Sequence, residues 1–183
     1  ENLYFEWRSF RLVKSNKECV LEFEHILEDN LFVLKKELED FSYYHGSYQR
    51  FIVRDPKRRI IHKAEVRDRV IHTLVARRLE TLYQRSFIAH SFSCQADRGT
   101  HCAVRAVINM CRRQSRNYSH NFWYLKCDVK KFFDNIDHEI LLSILCKKIK
   151  DEKFIWLINK IVESFYAVTP KTGLPLGNFT SQW

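Results

Sequence analysis

Asp128 closes a short aromatic run, Phe122-Trp123-Tyr124-Leu125-Lys126-Cys127, and Phe133 follows it five residues later. A carboxylate at the end of an apolar strand is held at a sheet edge, where it is poorly solvated unless something compensates it. A divalent cation is such a partner, and Mg²⁺ favours one or two carboxylates together with substrate phosphates. The ordinary alternative is a helix cap or an ion pair. Phe133 is an aromatic able to wall the sugar of a bound nucleotide. Asp134 and Asp137 trail Asp128 by six and nine residues; a turn contact and a helix cap suit them better than metal ligation. His101 and His138 read as structural.

A second chemical signal is the placement of charge. The 183 residues carry a net charge of +9. Residues 1–40 hold 6 basic and 10 acidic side chains, residues 41–120 hold 16 and 5, and residues 121–183 hold 9 and 7. The middle segment therefore supplies more than the whole net charge. Of its 16 basic residues 14 are arginine, the side chain whose planar fork grips phosphate oxygens in pairs. Tyr43, Tyr44, Tyr48, Phe51, Tyr83, Phe87 and Phe92 are interleaved with them. Such a segment is either a solvated cationic face or a surface for phosphate backbone and nucleotides.

These residues need elements to hold them. The apolar period over 17–40 predicts a helix, broken near Asp29-Asn30. Two β-branched runs around Asp55-Pro56-Lys57-Arg58 predict a hairpin over 48–62. Residues 63–83 predict a helix with Val66, Val70, Leu74 and Leu79 inward and its arginines outward. A loop over 91–99 leads to a helix from about 100 to 113, with Thr100 as N-cap. Residues 122–127 predict a buried strand, and Asp137 caps a long helix reaching about residue 166. The stretch 169–178 holds two of the four glycines and two of the three prolines, which marks a shaped loop.

Composition excludes several classes. Apolar residues make up 45%, too many for a disordered chain, and no run approaches the about 18 apolar residues of a membrane helix. The expectation is a soluble, cytoplasmic protein with no membrane partner. The six cysteines form no CxxC pair; Cys94 and His101-Cys102 come closest to ligand spacing, but free, buried thiols are the simpler expectation.

The sequence resembles the reverse transcriptase family in four ordered blocks. Leu125-Lys126-Cys127-Asp128-Val129-Lys130-Lys131-Phe132-Phe133 fits the first catalytic motif, an aspartate followed by x-x-x-(F/Y)-F. Residues Arg58 to Val70 look like the fingers motif, Ser91 to Val104 resemble the second block, and Gly173-Leu174-Pro175-Leu176-Gly177-Asn178-Phe179-Thr180-Ser181-Gln182 resembles the palm loop beside template and nucleotide. Glu1 to Phe5 match most of a protease-tag site, but Asn2, Leu3, Trp7 and Phe10 also fit an N-terminal pattern of the bacterial branch and are read as native. Leu176 stands where retron, group II intron and retroviral enzymes usually carry Gln, which points to diversity-generating retroelements, whose enzymes copy RNA with errors opposite adenine.

The resemblance implies an α+β fold: right-hand polymerase fingers, made of helices plus a β-hairpin, and the first part of a palm. Residues 1–40 would be a helical extension, 41–120 the fingers and 121–183 the partial palm. It implies two Mg²⁺ ions held by Asp128 and the Val129 carbonyl, with Phe133 as a gate against a 2′-OH. Lys63 and Arg69 would grip the triphosphate, assisted by Arg58 or Arg59, while Leu176, Gly177 and Gln182 line the nucleotide pocket. Arg77, Arg78, Arg98, Arg112 and Arg113 would meet template backbone or solvent. Template RNA, primer or cDNA and deoxynucleoside triphosphates are the implied partners, with a small basic accessory protein in the diversity-generating branch. No Tyr-x-Asp-Asp hairpin occurs before Trp183, so the chain alone is expected to be inactive. The alternatives are a retron, group II intron-like or defence-associated enzyme, or a non-catalytic RNA-binding derivative.

Overall fold

A computed structural model of the chain describes residues 2–12, 14–55, 57–93, 95, 97–167 and 169–177. The chain divides into two compact units, one made of Glu1–Leu79 with Lys131–Trp183 and the other of Glu80–Lys130. Helices and a two-stranded sheet give a mixed α and β architecture.

In the first unit, helix α1 (Leu3–Arg11) begins at Asn2, whose side-chain oxygen accepts from the Tyr4 N–H. Its Leu3, Trp7 and Phe10 are buried, so the first residues are part of the core. The predicted 17–40 helix is two, α2 (Glu18–His25) and α3 (Leu27–Glu39), with the break at Ile26 instead of Asp29-Asn30. The expected hairpin is present as β1 (Gln49–Val53) and β2 (Arg59–Lys63), antiparallel with Gln49 opposite Lys63 and Val53 opposite Arg59.

Helix α4 (Val66–Tyr83) buries Val66, Val70, Leu74 and Leu79 as the period predicts, and also Asp68, Ile71, His72, Val75 and Ala76. It is covered on most sides. Trp7, Phe10, Val20, Val66 and Val70 form one core cluster, joining α1, α2 and α4.

The expected Thr100 cap is corrected: α5 (Thr100–Gln114) starts with Thr100 already helical, and Gly99 takes the cap position at φ 139° without a side-chain bond. The long helix from Asp137 is also corrected. It is α6 (His138–Cys146) and α7 (Glu152–Glu163), because Asp151 caps a new start by accepting from the Lys153 and Phe154 N–H groups at 3.0 and 3.2 Å. Asp137 is the expected cap of α6, accepting from the Ile140 N–H at 2.9 Å.

The buried strand over 122–127 is not formed. Trp123, Tyr124 and Leu125 are 97%, 85% and 89% exposed, and no described residue pairs with the segment. A strand exists only through its neighbour's hydrogen bonds, and β propensity without a partner leaves extended chain. Among the described residues no helix is long and apolar enough to cross a membrane.

Candidate nucleotide site

The glycine- and proline-rich segment is tied down at several points. The Gly173 N–H donates to the Ile136 carbonyl and the Leu174 N–H to the Phe133 carbonyl, both at 2.8 Å. The buried His138 meets the Gly173 carbonyl through Nε2 at 2.7 Å, as its structural assignment requires. At the other end the His62 N–H donates to the Leu176 carbonyl at 3.0 Å. This loop thus links the short 3₁₀ turn Phe133–Asn135 to strand β2.

Gly177 follows at φ 103°, and a Cβ there would stand 2.6 Å from Ile61 Cγ2. Only glycine fits both the backbone conformation and the approach to β2. Phe133, Leu176, Gly177, Lys63 and Arg69 accordingly belong to one compact unit, with the loop bonded directly to the strand that ends in Lys63. Gln182 lies outside the described residues.

Lys63 and Arg69 converge on one sulfur. Lys63 Nζ is 3.7 Å and an Arg69 guanidinium nitrogen 3.6 Å from Cys19 Sγ, and the Arg69 guanidinium carbon lies 5.0 Å from the Phe10 ring centroid. Arg58 and Arg59 are exposed at the start of β2. Arg77 is not free to meet a template: it pairs with Glu6 at 3.1 Å and also donates to the Ser9 hydroxyl. Arg98 braces its own loop, donating to the Ala89 and Ser91 carbonyls at 2.8 and 2.9 Å. Arg78, Arg112 and Arg113 are exposed.

Asp128 and Val129 belong to the other unit, in the exposed extended segment. Their donor types, a carboxylate and a carbonyl, suit Mg²⁺, but no group of three His, Cys, Asp or Glu able to hold a metal occurs among the described residues. They fit as part of a donor set. The cysteine expectation is met in part: the described cysteines are free, but Cys19, Cys102, Cys111 and Cys146 are only half-buried and Cys127 is exposed, and Cys94 lies outside the described residues.

Between the segment that leads into β1 and helix α4 lies a polar cluster that sequence reasoning did not anticipate. Tyr43 donates its hydroxyl to Asp68 Oδ1 at 2.8 Å, and the Gly46 N–H donates to Oδ2 at 3.0 Å. His45 Nδ1 is 2.7 Å from the Gly46 carbonyl, so that nitrogen carries the proton. Its Nε2 then accepts from His72 Nε2 at 3.0 Å, which leaves His72 Nδ1 bare, buried and without a partner. Burial above all, with His45 and Arg69 beside it, holds the His72 pKa down to about 3. Burial above all, then the Asp68 charge, pushes the Tyr43 hydroxyl up.

Tyr48 stacks on His45 with ring centroids 4.7 Å apart. Ser164 donates to the Ile161 carbonyl at 2.6 Å, so the Tyr48 hydroxyl donates to Ser164 Oγ at 2.8 Å. The base of β1 is therefore bonded to the end of α7. His62 packs on Phe165 at 4.7 Å; loss of solvation and Arg50 lower its pKa, against Asp134.

No protein-family model matches the chain. It is similar to an uncharacterized 91 kDa protein in a cob intron of Schizosaccharomyces pombe, 29% identical over 120 residues covering 63% of this chain and 14% of the relative. The group II intron-encoded protein LtrA of Lactococcus lactis subsp. cremoris is 28% identical over 144 residues, covering 76% and 22%. Nuclear intron maturase 1, mitochondrial, of Arabidopsis thaliana is 29% identical over 104 residues, covering 56% and 14%. The chain thus spans 14% to 22% of the length of these relatives. A kinship with intron-encoded proteins and an intron maturase supports the reverse transcriptase family, to which the four sequence blocks also point.

Proposed function

We propose that the chain forms the fingers and the start of the palm of an RNA-directed DNA polymerase of the group II intron-encoded kind, with residues 1–40 as a helical extension. The observation that carries this is the hydrogen bond from His62 to Leu176, which ties the loop that would line the nucleotide pocket to the strand bearing Lys63. Lys63 and Arg69 would hold the triphosphate of an incoming deoxynucleotide, and their donors would offset charge growing on the leaving pyrophosphate. Phe133, fixed behind the loop by Leu174, would exclude a 2′-OH. Template RNA would lie along the arginine-rich segment 41–120.

Asp128 and the Val129 carbonyl would contribute to a Mg²⁺ site that needs further carboxylates from a longer protein. Bound there, Mg²⁺ would supply charge neutralisation and alignment of phosphoryl oxygens. Polymerisation in this proposal belongs to that longer protein. In it, Asp128→Ala is expected to reduce primer extension on an RNA template by at least about 100-fold, read as cDNA yield; undiminished extension would remove Asp128 from the site.

A second reading is the diversity-generating branch, supported by Leu176 in place of the usual Gln before Gly177. It brings a small basic accessory protein as partner. Sequencing the cDNA separates the two: errors concentrated opposite template adenine favour this branch, and evenly spread errors favour the intron-encoded kind.

A further inference from the structure

Lys63 and Arg69 are short of counter-charge. Among the described residues neither pairs with a carboxylate, and Arg69 Nε is buried without a hydrogen-bond partner. A third cation joins them: Lys14 Nζ lies 4.5 Å from the centroid of the same Phe10 ring that Arg69 covers at 5.0 Å. Lys14 is half-buried and likewise makes no ion pair among the described residues. Loss of solvation, then the Arg69 charge, lowers its ammonium pKa.

Lys63 and Arg69 line a cavity of about 400 Å³ with Cys19, Asn30 and Gln49, and Lys14 stands outside that lining, beyond the Phe10 ring it shares with Arg69. Glu22 and Glu65 also line the cavity without pairing to any of the three cations. Like charges gathered where water is scarce repel one another, and an anion seated among them recovers that cost.

Building on the nucleotide grip proposed above, we propose that Lys14 is a third polyphosphate-binding cation, brought to Lys63 and Arg69 by helix α1 through the shared Phe10 ring. The position of Lys14 is set by its donation to the Phe10 carbonyl at 3.1 Å, at the end of α1. An amide at that position would still satisfy the carbonyl, so charge and capping are separable.

The test is titration of the full chain with inorganic tripolyphosphate, without Mg²⁺, by calorimetry at several salt concentrations. Lys14→Gln should weaken binding about 10- to 100-fold, the worth of one charge-assisted contact, and flatten its salt dependence; Lys14→Arg should stay within about twofold. If Lys14→Gln binds as the parent does while Lys63→Gln and Arg69→Gln weaken binding, Lys14 has no such role and the nucleotide grip stands. If Lys63→Gln and Arg69→Gln also leave binding unchanged, the grip itself is wrong. Equal loss in Lys14→Gln and Lys14→Arg overturns the charge-based role. A measurement on the unaltered chain guards against misfolded variants. Tripolyphosphate should slow acetylation of the Lys14 amine several-fold by mass spectrometry, and unslowed acetylation overturns the inference.

Discussion

Two residues show how tightly the loop is fitted to the hairpin. Gly177 has a left-handed backbone and no room for a methyl group beside Ile61. Gly177→Ala should cost about 1–3 kcal/mol, combining strain at positive φ with the clash, as a drop in denaturation midpoint. Adding Ile61→Ala removes the clash and leaves the strain, so a variant pair with no mutual compensation would show that the approach to Ile61 is not what constrains position 177. Gly173, at φ 100°, is hemmed in by the Ala167 backbone as well as its side chain, so the same segment is glycine-dependent at both ends. The two glycines were legible as loop markers from composition. Their separate reasons were not, because each depends on a chain-distant neighbour.

At the scale of elements, α4 anchors the segment leading into the hairpin through Asp68 and His72, while Arg69, next to Asp68, is offered to the candidate site. His72 gives this anchor a pH signature. Its folded-state pKa of about 3 lies below the ordinary value near 6.5, so between these values the unfolded chain binds more protons and stability falls as pH drops. His45 and Arg69 act on the same ring, Asp68 acts on His45, and all three remain in a His72→Gln variant. That variant should lose less melting temperature between pH 7 and pH 4 than the parent; equal losses would exclude His72 as a source of acid sensitivity. The helices and the hairpin could be read from sequence because apolar period, caps and turn residues act within a few positions. The break before Asp151 was missed, although three lysines ahead of an Asp-Glu start carried its signal. Strand 122–127 was misread because its residues favour a sheet that no described segment provides. Lys63, Arg69 and the loop were singled out by ordered blocks, and the fold places them in one unit; the contacts of Phe10, Cys19, Lys14 and His62 with them were missed because packing, not spacing, brings them there.

For the whole molecule, the basic segment 41–120 offers less free charge than its composition, since several of its arginines are already engaged by the fold. Arg67 pairs with Glu37, Arg77 with Glu6, and Arg98 with its own loop. The cationic surface left for an anionic partner is smaller than the formal charge suggests. The unit Glu80–Lys130 has an opposite imbalance. Helix α5 has no buried residue and leaves Val104, Val107, Ile108 and Met110 exposed, and in the Phe122–Cys127 run that follows a short connection every residue after the half-buried Phe122 is exposed. Six residues that open with three strand-favouring aromatics and carry no proline, glycine or acidic side chain are an open template for cross-β pairing between copies. The same segment that would carry Asp128 into a polymerase palm therefore sets the colloidal behaviour of the chain: at micromolar concentration it should scatter light progressively and bind thioflavin. Trp123→Lys should slow both several-fold under reducing conditions, and unchanged kinetics would place the source of association elsewhere.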